Sequence, residues 1–326
     1  MKKLITSIIG TVLLISSISA ALAAPARDEG AVLRIGAQPF PLYSSIYVAK
    51  ELGFIDEELK AIGATYTWSE FRSGPLVNEA VAAGTQDIGF MADQPAIIAR
   101  ASGMNIEVIA NVAVGERALA VLVPTDSKIA APKDLKGKKV AYVTGSYAQH
   151  LLALVLNGAG LSFSDIESVN LAAADQPLAL QSGQVDALVV WEQYISMLEN
   201  RGTARVLIDG TGIKKGNMVT YALVDYAQKH PLVIEAYIKA CKRASDFIEK
   251  DPASAAAAIA DNFGIDAQTM ERILTKFQFS PALTKGDIDE IRKVKDYILA
   301  EKIIQNDIDI DKFINTSYLK AAGITK

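Results

Sequence analysis

The chain has 326 residues, 50% of them hydrophobic and 21% charged, with 33 lysines and arginines against 37 aspartates and glutamates. That is the composition of a folded chain with a large core, and its formal net charge of −4 recruits neither nucleic acid nor an anionic membrane. The single cysteine, Cys241, excludes an internal disulfide framework and a cysteine-based zinc site.

At the N-terminus, Lys2 and Lys3 precede an apolar run, and Ala21-Leu22-Ala23 fits a small-residue cleavage site, so residues 1–23 read as a secretory signal peptide. No cysteine follows the cut to accept a lipid, and the expected product is a free periplasmic protein, a monomer and not a lipoprotein. No later segment approaches the roughly eighteen apolar residues of a spanning helix. The remaining chain, roughly 300 residues, has the length at which single cores divide into lobes.

Two halves then follow one plan. A strand over 32–36 leads into Ala37-Gln38-Pro39-Phe40 and a helix over about 44–52, stopped by Gly53. The second half has a strand over 139–143, the loop Thr144-Gly145-Ser146, and a helix over about 147–157, stopped by Gly158 or Gly160. Second strands over 65–71 and 166–171 each precede a helix beginning near a proline, Pro75 and Pro177, a residue suited to a first helical turn. Those helices deliver a repeated pattern: Gly84-Thr85-Gln86-Asp87, five mostly apolar residues and Asp93-Gln94, then Gly183-Gln184-Val185-Asp186, five apolar residues and Glu192-Gln193. Strands alternating with helices predict an α/β fold built on parallel sheets. The apolar segments 117–123 and 217–224 are the expected entry and exit of an inserted second lobe, the hinge. The first lobe is then 31–120 plus 220–326 and the second 121–219. From Ala227 on, the pattern is helical, with Cys241 on an apolar face that also carries Val233, Tyr237, Ala244 and Ile248.

In an open parallel sheet, ligands bind beyond the carboxyl ends of the strands. Two loops there suit an anion: Phe71-Arg72-Ser73-Gly74-Pro75 and Thr144-Gly145-Ser146-Tyr147, each presenting N–H groups at a helix start. Ser73 and Ser146 could equally cap their helices. Asp93 and Glu192 end the repeated strands, either facing the cleft or opening the next helix. Trp191 could form an apolar wall or stack on a cation, while Arg117 could meet an anionic ligand or form an interlobe ion pair. The two histidines, His150 and His230, have no partners at metal-ligand spacing. Neither a nucleophile elbow nor a phosphate-binding loop is present, which favours binding over catalysis.

These stretches, with Asp134-Leu135-Lys136-Gly137-Lys138-Lys139-Val140-Ala141 and Asp209-Gly210-Thr211-Gly212, resemble the nitrate/sulfonate/taurine group of periplasmic binding proteins of ABC transporters over roughly 31–300. The resemblance implies a two-lobed, type II periplasmic binding protein fold with two crossover hinge strands and hinge closure on a ligand. It implies an ABC permease and ATPase as partners, and no cofactor. Its ligand-facing positions are Gln38, Phe40, Ser73, Gly74, Asp93, Gly145, Ser146, Tyr147, Trp191 and Glu192, to which Gln94 is added from the repeated motif and Arg117 from its place at the hinge. The family often has Asp-Pro-Tyr where this chain has Glu192-Gln193-Tyr194. The expected ligand is an aliphatic sulfonate or a taurine-like amino-sulfonate, with Asp93 and Glu192 meeting its cationic end. The alternatives are a thiamine-type pyrimidine, a nitrate-like ion, an aromatic carboxylate, or an exported enzyme using either acid as a base.

Overall fold

A computed structural model describes residues 27–72 and 74–324. The expected signal peptide and Ser73 lie outside the described residues.

The chain begins with β1 (Val32–Ala37), α1 (Ser44–Glu51), α2 (Phe54–Ala61), β2 (Thr65–Glu70), α3 (Gly74–Ala82), β3 (Ile88–Ala92), α4 (Asp93–Ala101) and β4 (Ile106–Val114). It continues through β5 (Leu119–Pro124), β6 (Lys139–Tyr142), α5 (Tyr147–Gly158), β7 (Glu167–Asn170), α6 (Gln176–Gln181), β8 (Ala187–Trp191), α7 (Tyr194–Asn200) and β9 (Ala204–Asp209). It returns with β10 (Asn217–Leu223), α8 (Val224–Lys229), α9 (Pro231–Lys250), α10 (Pro252–Phe263), α11 (Ala267–Leu274), β11 (Gln278–Phe279) and α12 (Lys285–Ala300), ahead of two short helices.

Two sheets result, ordered β11-β4-β10-β3-β1-β2 and β7-β6-β8-β5-β9. In each, the first strand of its half lies between the second and third, all parallel, and an antiparallel strand flanks the third: β10 beside β3, β5 beside β8. Sheet strands buried on both faces read as unbroken apolar runs. In the second sheet, Val121, Val140 and Val189 face the main core while Leu122, Ala141, Leu188 and Val190 face a smaller one on the other side.

The repeated glycine-aspartate motif does the same job in both lobes. Gly84 and Gly183 adopt φ of +69° and +71°, a conformation glycine takes without a Cβ penalty, and end α3 and α6. Asp87 then accepts the N–H of Arg34 on β1, and Asp186 that of Lys139 on β6, both at 2.8 Å. The pattern is a helix stop plus a carboxylate that ties the third strand to the first.

The hinge differs in detail from the expected one. Both expected hinge strands form, but β5 lies wholly in the second sheet and β10 wholly in the first. The passages between sheets are residues 115–118 and 210–216, so breaks after 120 and 219 would cut β5 and β10. The two passages touch. Gly115 N–H donates to the Lys215 carbonyl at 3.1 Å, and Gly210 N–H to the carbonyls of Glu116 and Leu119 at 3.0 and 2.9 Å. A Cβ on Gly210 would stand 2.6 Å from the Glu116 carbonyl oxygen, so backbone packing dictates glycine there. The nine-residue β4, between β11 and β10 in the first sheet, had no counterpart among the expected elements.

Candidate functional site

A cavity of about 360 Å³ opens between the carboxyl ends of the two sheets. The first lobe contributes the loop after β1 (Gln38, Phe40, Tyr43), the start of α3 (Arg72, Gly74, Pro75) and the end of β3 (Met91, Ala92) with Pro95. The second contributes Val143 to Tyr147, Ala172 to Ala174, Trp191 and Tyr194. Among the described residues on this wall, Arg72 is the one charged side chain. It is exposed, and no ion pair engages it among the described residues. The rest is mostly apolar and aromatic, with the rings of Tyr147 and Trp191 at 5.6 Å.

Local hydrogen bonds sort the anion-ready loops. Ser146 caps α5: its hydroxyl donates to the Val143 carbonyl at 2.6 Å and accepts from Gln149 N–H at 3.4 Å. Gly145 N–H donates to Gln149 Oε1 at 2.8 Å and Thr144 N–H to Asn170 Oδ1 at 3.0 Å, so this loop spends its amides on its own lobe. The capping alternative for Ser146 is the observed one. On the other side, Gln38 lies beneath Gly74 and donates Nε2 to the Phe90 carbonyl at 2.8 Å. Positive charge therefore sits at the α3 end, where the helix dipole adds to Arg72.

Seven of the expected residues line this cavity: Gln38, Phe40, Gly74, Gly145, Ser146, Tyr147 and Trp191. Four do not. Asp93, buried, opens α4, with Oδ1 accepting the Gln94 N–H at 2.7 Å and Oδ2 paired to Lys214 Nζ at 3.3 Å. Lys214 also meets Glu290 at 3.6 Å. Burial raises the Asp93 carboxyl above its ordinary range against the opposing pull of Lys214. Gln94 is fully buried behind the wall, with neither amide atom partnered among the described residues. Glu192, also fully buried, pairs with Lys276 and accepts from Ser196 N–H and Oγ at 3.2 and 3.1 Å. Arg117 points to the far side of the hinge and donates to the Thr275 carbonyl at 2.6 Å. The expectation that the two acids meet a cationic end of the ligand is thus corrected: each finds a lysine behind the cleft instead. Burial also pushes the Tyr147 hydroxyl well above its usual range, so it stays neutral.

Residues missed from the sequence include Tyr43, Met91, Ala172 to Ala174 and Tyr194. Arg72 lay within the anion-ready loop, and its charge was the available signal.

A larger cavity, about 520 Å³, lies beside the hinge passages. The charged groups on its wall are engaged: Glu116 by Gly212 N–H at 3.1 Å, Lys215 by Asp287 at 2.9 Å, Arg117 by Thr275 and Lys276 by Glu192. The smaller cavity, where a cation stands free, is the candidate site. No cluster of three or more metal-ligating side chains occurs among the described residues.

The family model described as NMT1/THI5 like matches residues 41–255. The chain belongs to that family. Among its curated relatives, an Escherichia coli K12 protein named for binding aliphatic sulfonates is 31% identical over 261 residues, covering 80% of each chain. The taurine-binding periplasmic protein of the same organism is 31% identical over 185 residues, covering 55% of this chain and 56% of that one. Among solved structures, the alkanesulfonate-binding protein SsuA of Xanthomonas axonopodis pv. citri, bound to MOPS, superposes with a TM-score of 0.79 at 29% identity. It is covered over 99% of its length and covers 89% of this chain. The NMT1/THI5-like chain therefore has the two-lobed periplasmic binding protein fold.

Proposed function

We propose that this protein is the periplasmic receptor of an ABC importer for a sulfonate with an apolar tail, held in the interlobe cleft. The observation that carries the reading is the wall itself: one cation, Arg72, at the start of α3, no carboxylate among the described lining residues, and apolar or aromatic side chains elsewhere. A sulfonate oxygen fan suits an arginine beside free helical N–H groups. The tail lies against Met91, Tyr147, Trp191 and Ala172 to Ala174. The cavity size falls in the range of small-molecule sites. Relatives named for sulfonates and taurine, and a structural neighbour holding the sulfonate MOPS, support the same class. With both acids turned away, nothing on the described wall balances an ammonium, which favours an alkanesulfonate over taurine. Closure of the lobes on the ligand shifts the population toward the form that a membrane permease and its ATPase accept. The receptor acts as an exported monomer and turns nothing over: both candidate bases, Asp93 and Glu192, are buried behind the cleft and paired with lysines.

Calorimetric titration with propane- to hexanesulfonate tests this. Each buried methylene contributes about 0.8 kcal/mol, so Kd should fall about fourfold per carbon until the cavity is filled. Taurine should bind more weakly than propanesulfonate. Binding of a pyrimidine or an aromatic carboxylate with no response to any sulfonate would overturn the reading, as would turnover of a bound sulfonate.

A further inference from the structure

We infer that Lys276 is a positioning residue for the cleft: it reaches across the hinge to Glu192 and Ser196 and so sets the corner that carries Trp191 and Tyr194 into the cavity. Lys276 belongs to the first lobe, two residues ahead of β11, which is registered on β4 through Gln278 opposite Val114 and Phe279 opposite Ala113. Glu192 belongs to the second, directly after β8. The Lys276 ammonium pairs with the Glu192 carboxylate and donates to Ser196 Oγ at 3.2 Å, with Glu199 at 3.9 Å. Asn200 of α7 and Thr269 of α11 meet beside it at 3.5 Å. Glu192 N–H also donates to the carbonyl of Ala118, in the first hinge passage, at 3.0 Å. The corner is therefore clamped between the hinge and a lysine of the opposite lobe, while its neighbours Trp191 and Tyr194 stand on the cavity wall.

The first copy of the repeat has a counterpart. Asp93, after β3, is held by Lys214 of the second hinge passage, beside Met91, Ala92 and Pro95 of the wall. In both copies the terminal acid is buried and receives a lysine distant in sequence, 121 residues away for Asp93 and 84 for Glu192. A buried carboxylate holds its place only with such a partner. The acid of each copy thus ties a ligand-facing corner to the hinge region, and its charge is spent on the lysine.

The inference rests on the cleft being the ligand site, so two measurements keep the questions apart. In the mature protein, hexanesulfonate Kd is measured for wild type, Lys276→Met, Lys276→Arg, Glu192→Gln and the Lys276→Met/Glu192→Gln double variant. In a Cys241→Ser background, the interlobe distance is measured by electron spin resonance between labels at Lys60→Cys and Leu178→Cys, both on exposed positions. Lys276→Met should raise Kd about tenfold and broaden the ligand-free distance distribution. Lys276→Arg should stay within about threefold of wild type, and the double variant should bind no more weakly than either single one. Glu192→Gln supplies the same test if Lys276→Met does not fold. Wild-type affinity in both single variants, or an unchanged distance distribution, would overturn the clamp. Absence of sulfonate binding by the wild type would overturn the functional reading alone, with the distances still deciding the clamp.

Discussion

Acidification should destabilise this protein through one histidine. His150 sits on α5 of the second lobe and stacks on Tyr297 of α12, centroids 4.1 Å apart and planes 7° from parallel. It is buried, and its Nδ1 has no partner among the described residues. Burial, helped by the nearby Lys214 charge, lowers the imidazole from 6.5 to about 3. The folded protein thus keeps His150 neutral while the unfolded chain takes up a proton below pH 6.5. Stability contributed by the neutral ring is full above that value and drains away as pH falls toward 3. Between pH 7.5 and 4.5 the loss is about 2.7 kcal/mol, at about 1.36 kcal/mol per pH unit below 6.5. Asp93, raised in the fold, works in the opposite direction as pH rises above its unfolded value, so the comparison must cancel it. Urea denaturation of wild type and His150→Phe at a series of pH values does so, since both keep Asp93 and Phe keeps the stack. The stability difference between them should change by about 2.7 kcal/mol over that range in favour of the variant at low pH. Parallel curves would refute the argument and place water or a proton donor at His150.

Replacing Arg72 with Gln should raise the Kd for hexanesulfonate by roughly 10- to 150-fold, the equivalent of about 1.5–3 kcal/mol for a charge-assisted contact, in titration calorimetry. Its unfolding free energy from urea denaturation should stay within about 0.5 kcal/mol of wild type, because Arg72 is exposed. Gly210→Ala forces a Cβ to 2.6 Å from the Glu116 carbonyl oxygen and 2.9 Å from that of Lys214, and should cost about 1–3 kcal/mol by thermal denaturation. Gly158→Ala, at the end of α5 with no atom within 4 Å of the new carbon, is the control and should be neutral or stabilising by about 0.5–1 kcal/mol.

Much of the architecture was legible because it is written locally. The alternation of strands and helices, the prolines opening α3 and α6, and the glycines ending them are short-range signals. So is Ser146, whose cap lies within three residues. β4 was missed because Glu107 and Asn111, both buried, interrupt its apolar run, so it shows neither the unbroken stretch of β5 and β8 nor a clean period-2 alternation. The site divides along the same line. Loops after the first and second strands and the end of the third strand reach the cleft, so the positions the family resemblance implied, Gln38, Phe40, Gly74, Tyr147 and Trp191 among them, fall on its wall. Arg117 could not be placed, since the turn at Glu116–Ala118 decides which side of the hinge it faces.

The repeated acids show where sequence reading stops. Sequence alone determined that Asp93 and Glu192 end equivalent strands at equivalent corners of two lobes, because strand length and turn chemistry are local. It also determined that a cleft with anion-ready loops lies between them. Only the tertiary structure decided what the acids face. A carboxylate at a strand end takes whichever cation the rest of the chain brings within reach, and Lys214 and Lys276 arrive from 121 and 84 residues away. Once buried with those lysines, the acids hold the corners of the cleft and leave its charge to Arg72.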